Sequence, residues 1–535
     1  MNPMIEKLGA LGPEMALLTG ACVCLALGLS GRPDLRGLCA WAAAAALVVA
    51  GVLAWQGPWS GPGVVPPAGQ GTAWEPDPSG FVKLAVAAIG LLLVMLMARV
   101  PTRLEAHVAV YEDADDPAVS ERGEFFAFVL FSLTGAMLCA GAGDLVWLFL
   151  ALELTSLPTY VMVATGSRRM ASSEAAVKYF FLGALATATF LYGFALIYGA
   201  TGSTDFAQIR AVADAQLTES TRLSALFVGG LLLSVLGLCF KIAAVPMHFY
   251  VADVYQGAAT PVTALLAFVP KTAGFVALIL ILGLINWELP APLTRLLWVL
   301  AAATMTVGNV LGLLQNNVKR VLAYSSIAHS GYMLVGLIAG GAAAGGATLG
   351  NGVAAVLFYL VGYGLATLAA FGVLGCLQRN GEEAELYEDI AGLSRRHPGL
   401  AAVMLIAVLS LLGFPLTVGF LGKVYLFGSA MSAGHVALVV IAVLNSAVSA
   451  VYYLRIVGAC YFGESSDPAR AVHGAAPHLA SGIAALAAVV LFIAGGRLVA
   501  AARDAAAPAR TEAIITVEQD AEGGQDSGEQ LTRGQ

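Results

Sequence analysis

Charge is what this chain has least of. Only 11% of its 535 residues are Asp, Glu, Lys or Arg, and the mean hydropathy is +0.82. Soluble globular chains carry about 25% charged residues, so a soluble domain of this size is excluded. The few charges sum to −7, which leaves no basic surface for nucleic acid. No stretch reads GxGxxG or as a P-loop, and neither HExxH nor GxSxG occurs. The sequence therefore offers no place for ATP, a flavin, haem or an iron–sulfur cluster. Energy for any ion movement has to come from another subunit or from a gradient. Cysteine is scarce too: seven, at positions 22, 24, 39, 139, 239, 376 and 460, with no CxxC. Without metal-ligand spacing they read as small buried hydrophobes. The start lacks a basic n-region leading to a small-residue cleavage site, so no cleaved leader is expected.

What the chain does have is long apolar runs. About fourteen candidate spans fit, 18–29 residues long and so able to cross a membrane. They are 9–29, 37–55, 80–99, 124–141, 143–165, 174–199, 223–249, 261–285, 293–314, 321–341, 351–377, 400–428, 436–462 and 478–500. A helix satisfies its own backbone groups in lipid, so the expectation is an all-α polytopic membrane protein. Basic residues cluster at the exits of odd-numbered spans: Arg32 and Arg36; Arg99, Arg103 and Arg122; Arg168 and Arg169; Lys319 and Arg320; Arg379, Arg395 and Arg396. The positive-inside rule then puts both termini outside the cytoplasm. Arg210, Arg222, Arg497, Arg503 and Arg510 run against that majority. Trp55, Trp59 and Trp74 flank the loop 56–79 as interfacial anchors would. The polar tail from about 503, with its AEGGQDSGEQ, is expected to be disordered.

Two spans are broken by proline, the seventh (CFKIAAVPMHFY) and the twelfth (LLGFPLTVGFLGK). Each falls fourth in a block of five, 124–285 and 293–462. Five is odd, so consecutive blocks run with opposite topology. Interrupted helices at matching places in two halves point to a transporter-type inverted repeat with its site at mid-membrane. The organisation expected is a three-helix segment over 1–123, the two blocks, a last span within 463–502 and a tail over 503–535.

Within those runs stand four charges, Glu153, Lys241, Lys271 and Lys423. A charge at the bilayer centre costs at least ~2.5–3.5 kcal/mol and marks an ion or proton path by default. Pro246 has no N–H to offer the carbonyl of Ile242, next to Lys241, so that carbonyl needs water or a side chain. His248 lies two turns beyond Lys241 along the same predicted face and titrates near neutrality; an interfacial histidine at a helix end reads equally well. Lys271 follows Pro270 near the middle of its span, too deep to snorkel. It can load and release a proton or lock two helices together. Glu153, in FLALELTSLPTY, is the acid at that depth in the first block, with Lys241 its expected partner. Lys178 is one turn from Glu174, so it is a surface pair or a relay residue. Lys423 follows Gly419 and Gly422 on the broken span, and His329, in SSIAHSGY, could bridge Lys271 to Lys423 or bond across a helix interface. Asp144 and Asp253 fall near span ends, where acids cost less.

Five stretches resemble the antiporter-like membrane subunits of respiratory complex I, and among them the subunit N branch. They are LELTSLPTYVMVA (152–164), SSEAAVKYFFLGA (172–184), FKIAAVPMHFYVADVYQGAATPVTALLAFVPK (240–271), TMTVGNVLGLLQNNVKRVLAYSSIAHSGYML (304–334) and GFPLTVGFLGKVYLF (413–427). The resemblance implies that Glu153 modulates Lys241 on the broken helix, that Lys271 is the central lysine and that His329 lies on a connecting polar axis. A lysine at 423 is similar to subunit N, whereas subunit M usually has glutamate there. The chain departs from the family in VADVYQG, where Val251, Ala252 and Gln256 replace Thr, Pro and Glu, and in Phe414 for the usual Ile. The implied function is proton pumping driven by NADH oxidation and quinone reduction. NADH, FMN, the iron–sulfur clusters and quinone would belong to other subunits. The expected partners are the other membrane-arm subunits, the lipid bilayer and protons, in a bacterial inner membrane. The alternative is a monovalent cation/proton antiporter subunit of a multi-subunit exchanger.

Overall fold

The computed structural model describes residues 11–30, 32–56, 78–98, 121–166, 170–220, 222–340, 351–379, 382–465, 467–471 and 474–506. The helices of the first half are α1 (Gly12–Gly28), α2 (Pro33–Arg36), α3 (Cys39–Gln56), α4 (Ser79–Met97), α5 (Glu121–Ala140), α6 (Leu145–Thr165), α7 (Met170–Thr201), α8 (Phe206–Ser220), α9 (Ala225–Lys241), α10 (Val251–Gly257) and α11 (Thr260–Gly283). Those of the second half are α12 (Ala291–Leu313), α13 (Val318–Ala339), α14 (Gly352–Gly375), α15 (Leu393–Arg396), α16 (Pro398–Leu412), α17 (Val418–Ser432), α18 (Val436–Phe462), α19 (Ala475–Ile493) and α20 (Gly495–Ala506). Among the described residues, eleven helices are long and apolar enough to cross a membrane. Three shorter apolar helices, α1, α9 and α16, complete the apolar set. Long stretches of α3, α7 and α18 leave large apolar side chains outside, among them Trp41, Leu185 and Leu444, as lipid-facing helices do. α11, α13 and α14 are enclosed on nearly all sides.

Both proline breaks are present. α9 stops at Lys241 and residues 242–250 form turns, with Ala243 in the left-handed region (φ 59), before α10 resumes at Val251. Pro246 cannot donate, and its ring would clash with the carbonyl four residues back. The expectation that His248 shares a helical face with Lys241 is therefore wrong, because no helix joins them. The second break separates α16 from α17. Gly413 caps α16 at φ 82, where a side chain would be strained and would also strike the stem of Lys423.

The all-α membrane architecture stands, and three further expectations are corrected. Outside the spans, β2 (Glu382–Glu383), β1 (Leu377–Arg379) and β3 (Arg470–Ala471) pair antiparallel in that order, with Gln378 opposite both Glu383 and Arg470. The Asn380-Gly381 pair between the first two strands is a hairpin signal. α8 is an additional helix, too polar to cross, in what read as a loop. The last span ends at Ile493, and α20 carries helix to Ala506, past the expected start of the tail. Cys22 is exposed, whereas the other six thiols are buried and all seven are free. Most of the loop 56–79, Arg99, Arg103, Arg168, Arg169 and the tail from 507 lie outside the described residues.

Candidate functional site: a buried row of lysines

Glu153 of α6 and Lys241 at the end of α9 meet as expected, Nζ to Oε1 at 3.3 Å. Lys241 also donates to Ser156 Oγ at 2.5 Å and to the Leu152 carbonyl at 3.5 Å. Thr187 of α7 donates to the same carboxylate oxygen at 2.8 Å. Serine and threonine thus share each charge with neutral dipoles, which a buried ion needs to stay in place.

The carbonyl that Pro246 frees is taken by a side chain. Ile242 O accepts from Ser330 Oγ of α13, and Lys271 Nζ of α11 donates to that same hydroxyl at 2.9 Å and to the Ser326 carbonyl. The break therefore ties the residue after Lys241 to the acceptors of Lys271. Between the two lysines lies a cavity of about 10 Å³, lined by both of them with Tyr179, Tyr250, Tyr255 and Pro270. That is room for about one water molecule.

His329 is buried, with Nδ1 at 2.6 Å from Tyr359 Oη and Nε2 at 2.9 Å from Tyr453 Oη. Lys423 donates to the Leu412 carbonyl at 2.8 Å and to Ser446 Oγ at 2.9 Å, with the Tyr332 ring 4.7 Å away. It therefore caps the carbonyl end of α16, a favourable place for a cation.

Lys178 joins a second cluster, not the row. It pairs with Glu174 at 2.7 Å and with Asp253 of α10 at 2.8 Å. Arg320 of α13 holds the other Asp253 oxygen at 2.9 Å and Gln256 at 3.0 Å, so the departure at 256 still serves as an acceptor. His248 is buried against Phe249, with no bond from Nδ1 among the described residues. Asp144 caps α6 through the Trp147 amide.

Sequence reasoning missed several groups. The hydroxyls that hold the lysines, Ser156, Ser326 and Ser330, carry no spacing signal of their own. Lys319 read as a loop charge, yet it is fully buried and pairs with Glu383 at 3.2 Å and Glu385 at 3.9 Å. Glu14 and Lys83 form a buried pair at 2.9 Å; each stands near the start of an apolar run, and that was the signal available. No group of three His, Cys, Asp or Glu is placed to hold a metal among the described residues.

Fold and site first define a class: a multi-pass helical membrane protein with a row of buried lysines set among hydroxyls. Residues 142–449 match the family described as NADH:quinone oxidoreductase/Mrp antiporter, TM. The chain is 44% identical over 340 residues to NADH-quinone oxidoreductase subunit N of Trichlorobacter lovleyi, covering 64% of this chain and 68% of that one. It is 38% identical over 475 residues to NADH-quinone oxidoreductase subunit N 2 of Rhizobium meliloti, covering 88% and 91%. A chain in the structure of respiratory complex I from Thermus thermophilus with bound aureothin superposes with a TM-score of 0.72 at 32% identity, covering 92% and 99%. The chain belongs to this NADH:quinone oxidoreductase/Mrp antiporter membrane family, in its NADH-quinone oxidoreductase subunit N group.

Proposed function

We propose that the chain translocates protons in the membrane arm of an NADH-quinone oxidoreductase, along Glu153, Lys241, Lys271, His329 and Lys423. What supports the reading is one observation. The serine that accepts from Lys271 donates to the carbonyl beside Lys241, and a water-sized cavity lies between the two lysines. A scaffold gains nothing from such charges, since apolar replacements of buried pairs are often neutral or stabilising. Moving one charge against 100 mV takes ~2.3 kcal/mol. Loosening or tightening the Glu153–Lys241 contact changes lysine proton affinity in the same range, since one pKa unit is ~1.36 kcal/mol. The same reading takes Lys178 and His248 as further relay residues. Electron transfer and its redox groups belong to other subunits.

The same reading assigns fourteen crossings, with α9–α10 and α16–α17 each one broken span. Blocks 124–285 and 293–462 form the inverted repeats, after a three-helix segment over 1–123. The last crossing falls within 463–502 and the tail follows α20, from 507 on. Both termini face away from the cytoplasm, in a bacterial inner membrane beside the other membrane-arm subunits.

The test is NADH-driven proton uptake and quinone turnover in vesicles carrying Lys241→Ala. Loss of both in an assembled complex supports the reading; normal rates of both sink it. The family description also covers Mrp antiporters. Sodium-dependent flux without NADH would favour cation/proton exchange.

A further inference from the structure

The side chains around His329 carry more than a histidine bridge. Each neighbouring lysine is one aromatic ring away. The Tyr363 ring lies 5.2 Å from the imidazole and 5.3 Å from Lys271 Nζ. The Tyr332 ring lies 5.7 Å from the imidazole and 4.7 Å from Lys423 Nζ. The two hydrogen-bond partners of His329 are both tyrosine hydroxyls, Tyr359 of α14 and Tyr453 of α18. An imidazolium here would have ammonium groups on both sides and no carboxylate bonded to it. A neutral imidazole suits the site, with one ring nitrogen donating and the other accepting.

The hydroxyls continue outward. Tyr453 Oη is bonded to Ser325 Oγ, next in sequence to the Ser326 whose carbonyl holds Lys271. At the other end the Tyr359 ring rests on Gly422, next in sequence to Lys423. The glycine leaves the ring room to lie there. The chain of donors and acceptors thus runs Ser325–Tyr453–His329–Tyr359, with one end a residue away from the Lys271 acceptor Ser326 and the other against the glycine before Lys423.

We propose that Tyr453 and Tyr359 are proton-relay residues, passing a proton through neutral His329 by tautomer exchange. This rests on the proton-translocation reading above. Starting from the Nδ1–H tautomer, Tyr453 gives its hydroxyl proton to Nε2 and is refilled from Ser325. Nδ1–H passes its proton to Tyr359, whose own hydroxyl proton leaves toward Lys423. One proton enters at Ser325 and one leaves Tyr359. Every oxygen ends with the proton count it began with, and His329 ends as the Nε2–H tautomer. Rotation of the hydroxyls and return of the tautomer reset the chain.

The experiment is NADH-driven proton uptake and quinone turnover by the assembled complex carrying Tyr453→Phe or Tyr359→Phe, beside Lys271→Ala. Phenylalanine keeps the ring and its packing and removes only the hydroxyl. The expected result is at least a tenfold loss of coupled turnover in either Phe variant. A second measurement places 3-fluorotyrosine at 453, whose more acidic hydroxyl shifts the pH profile of coupled turnover; a packing role leaves the profile unmoved. Normal rates in both Phe variants, with Lys271→Ala inactive, overturn the tyrosine relay alone. Normal rates in all three overturn it together with the translocation reading.

Discussion

Glu383→Gln should loosen the start of two helices at once. The Glu383 carboxylate accepts from the Thr260 amide at 3.0 and 3.1 Å and from Thr260 Oγ1 at 2.6 Å, at the first residue of α11. It also binds Lys319, in the first turn of α13, at 3.2 Å. Two charges at that distance attract by ~5 kcal/mol at an effective dielectric of 20, and stripping one partner from a buried pair costs ~3–5 kcal/mol. Glu385 remains at 3.9 Å from Lys319, so the lower end applies, ~3 kcal/mol, more than a hundredfold in an equilibrium constant. The assay is hydrogen exchange of the assembled complex, followed at the Thr260 amide and at the Val318 amide, which bonds the Glu385 carbonyl. Exchange should speed up by about a hundredfold in Glu383→Gln, and the Lys319→Met/Glu383→Met double variant should recover most of the protection at the Val318 amide, but not at Thr260, whose N–H then lacks its Glu383 acceptor. Acid should mimic the single substitution. Burial pushes the Glu383 carboxyl up, but Lys319 and the Thr260 donors outweigh it and the net direction is down. Its stabilisation is therefore complete at neutral pH and is lost as pH falls through the lowered folded-state value. Less than a tenfold change, or a double variant no better than the single, would refute the reasoning.

Gly413→Ala should cost ~1–2 kcal/mol for the left-handed backbone alone and also displace Lys423. It should lower coupled proton uptake more than it lowers the thermal midpoint of the complex; an unchanged uptake would show that the Lys423 position is not critical. Glu14→Gln should leave Lys83 buried beside a neutral partner and cost ~3–5 kcal/mol. Reduced heat resistance of the complex with normal pumping per assembled complex is the expected result, and lost pumping would place that pair on the proton path.

Much of this protein is readable one residue at a time. The cost of charge in lipid made Glu153, Lys241, Lys271 and Lys423 stand out, and the missing N–H of Pro246 announced a break and an orphan carbonyl. The partners were not readable. Ser330 was one serine among many until α13 brought it to Ile242 O. Lys319 looked like a loop charge because a buried lysine at a helix start differs from an exposed one only by what folds over it, here a strap from far along the chain. His248 misled for a related reason: two turns along a face means something only while the helix is continuous.

Hydropathy along the chain is enough to specify a helical membrane protein, because long apolar runs in lipid have to satisfy their own backbone. The chain's own residues also determine which charges are costly and where two spans break, because hydropathy, charge and the proline ring are properties of the chain in place. Tertiary structure alone decided which groups complete the site. The tyrosines on both sides of His329, the serine shared between the Lys241 and Lys271 neighbourhoods and the carboxylate over Lys319 lie 30 to 124 residues from their partners. Only packing brings such distant groups within hydrogen-bond reach.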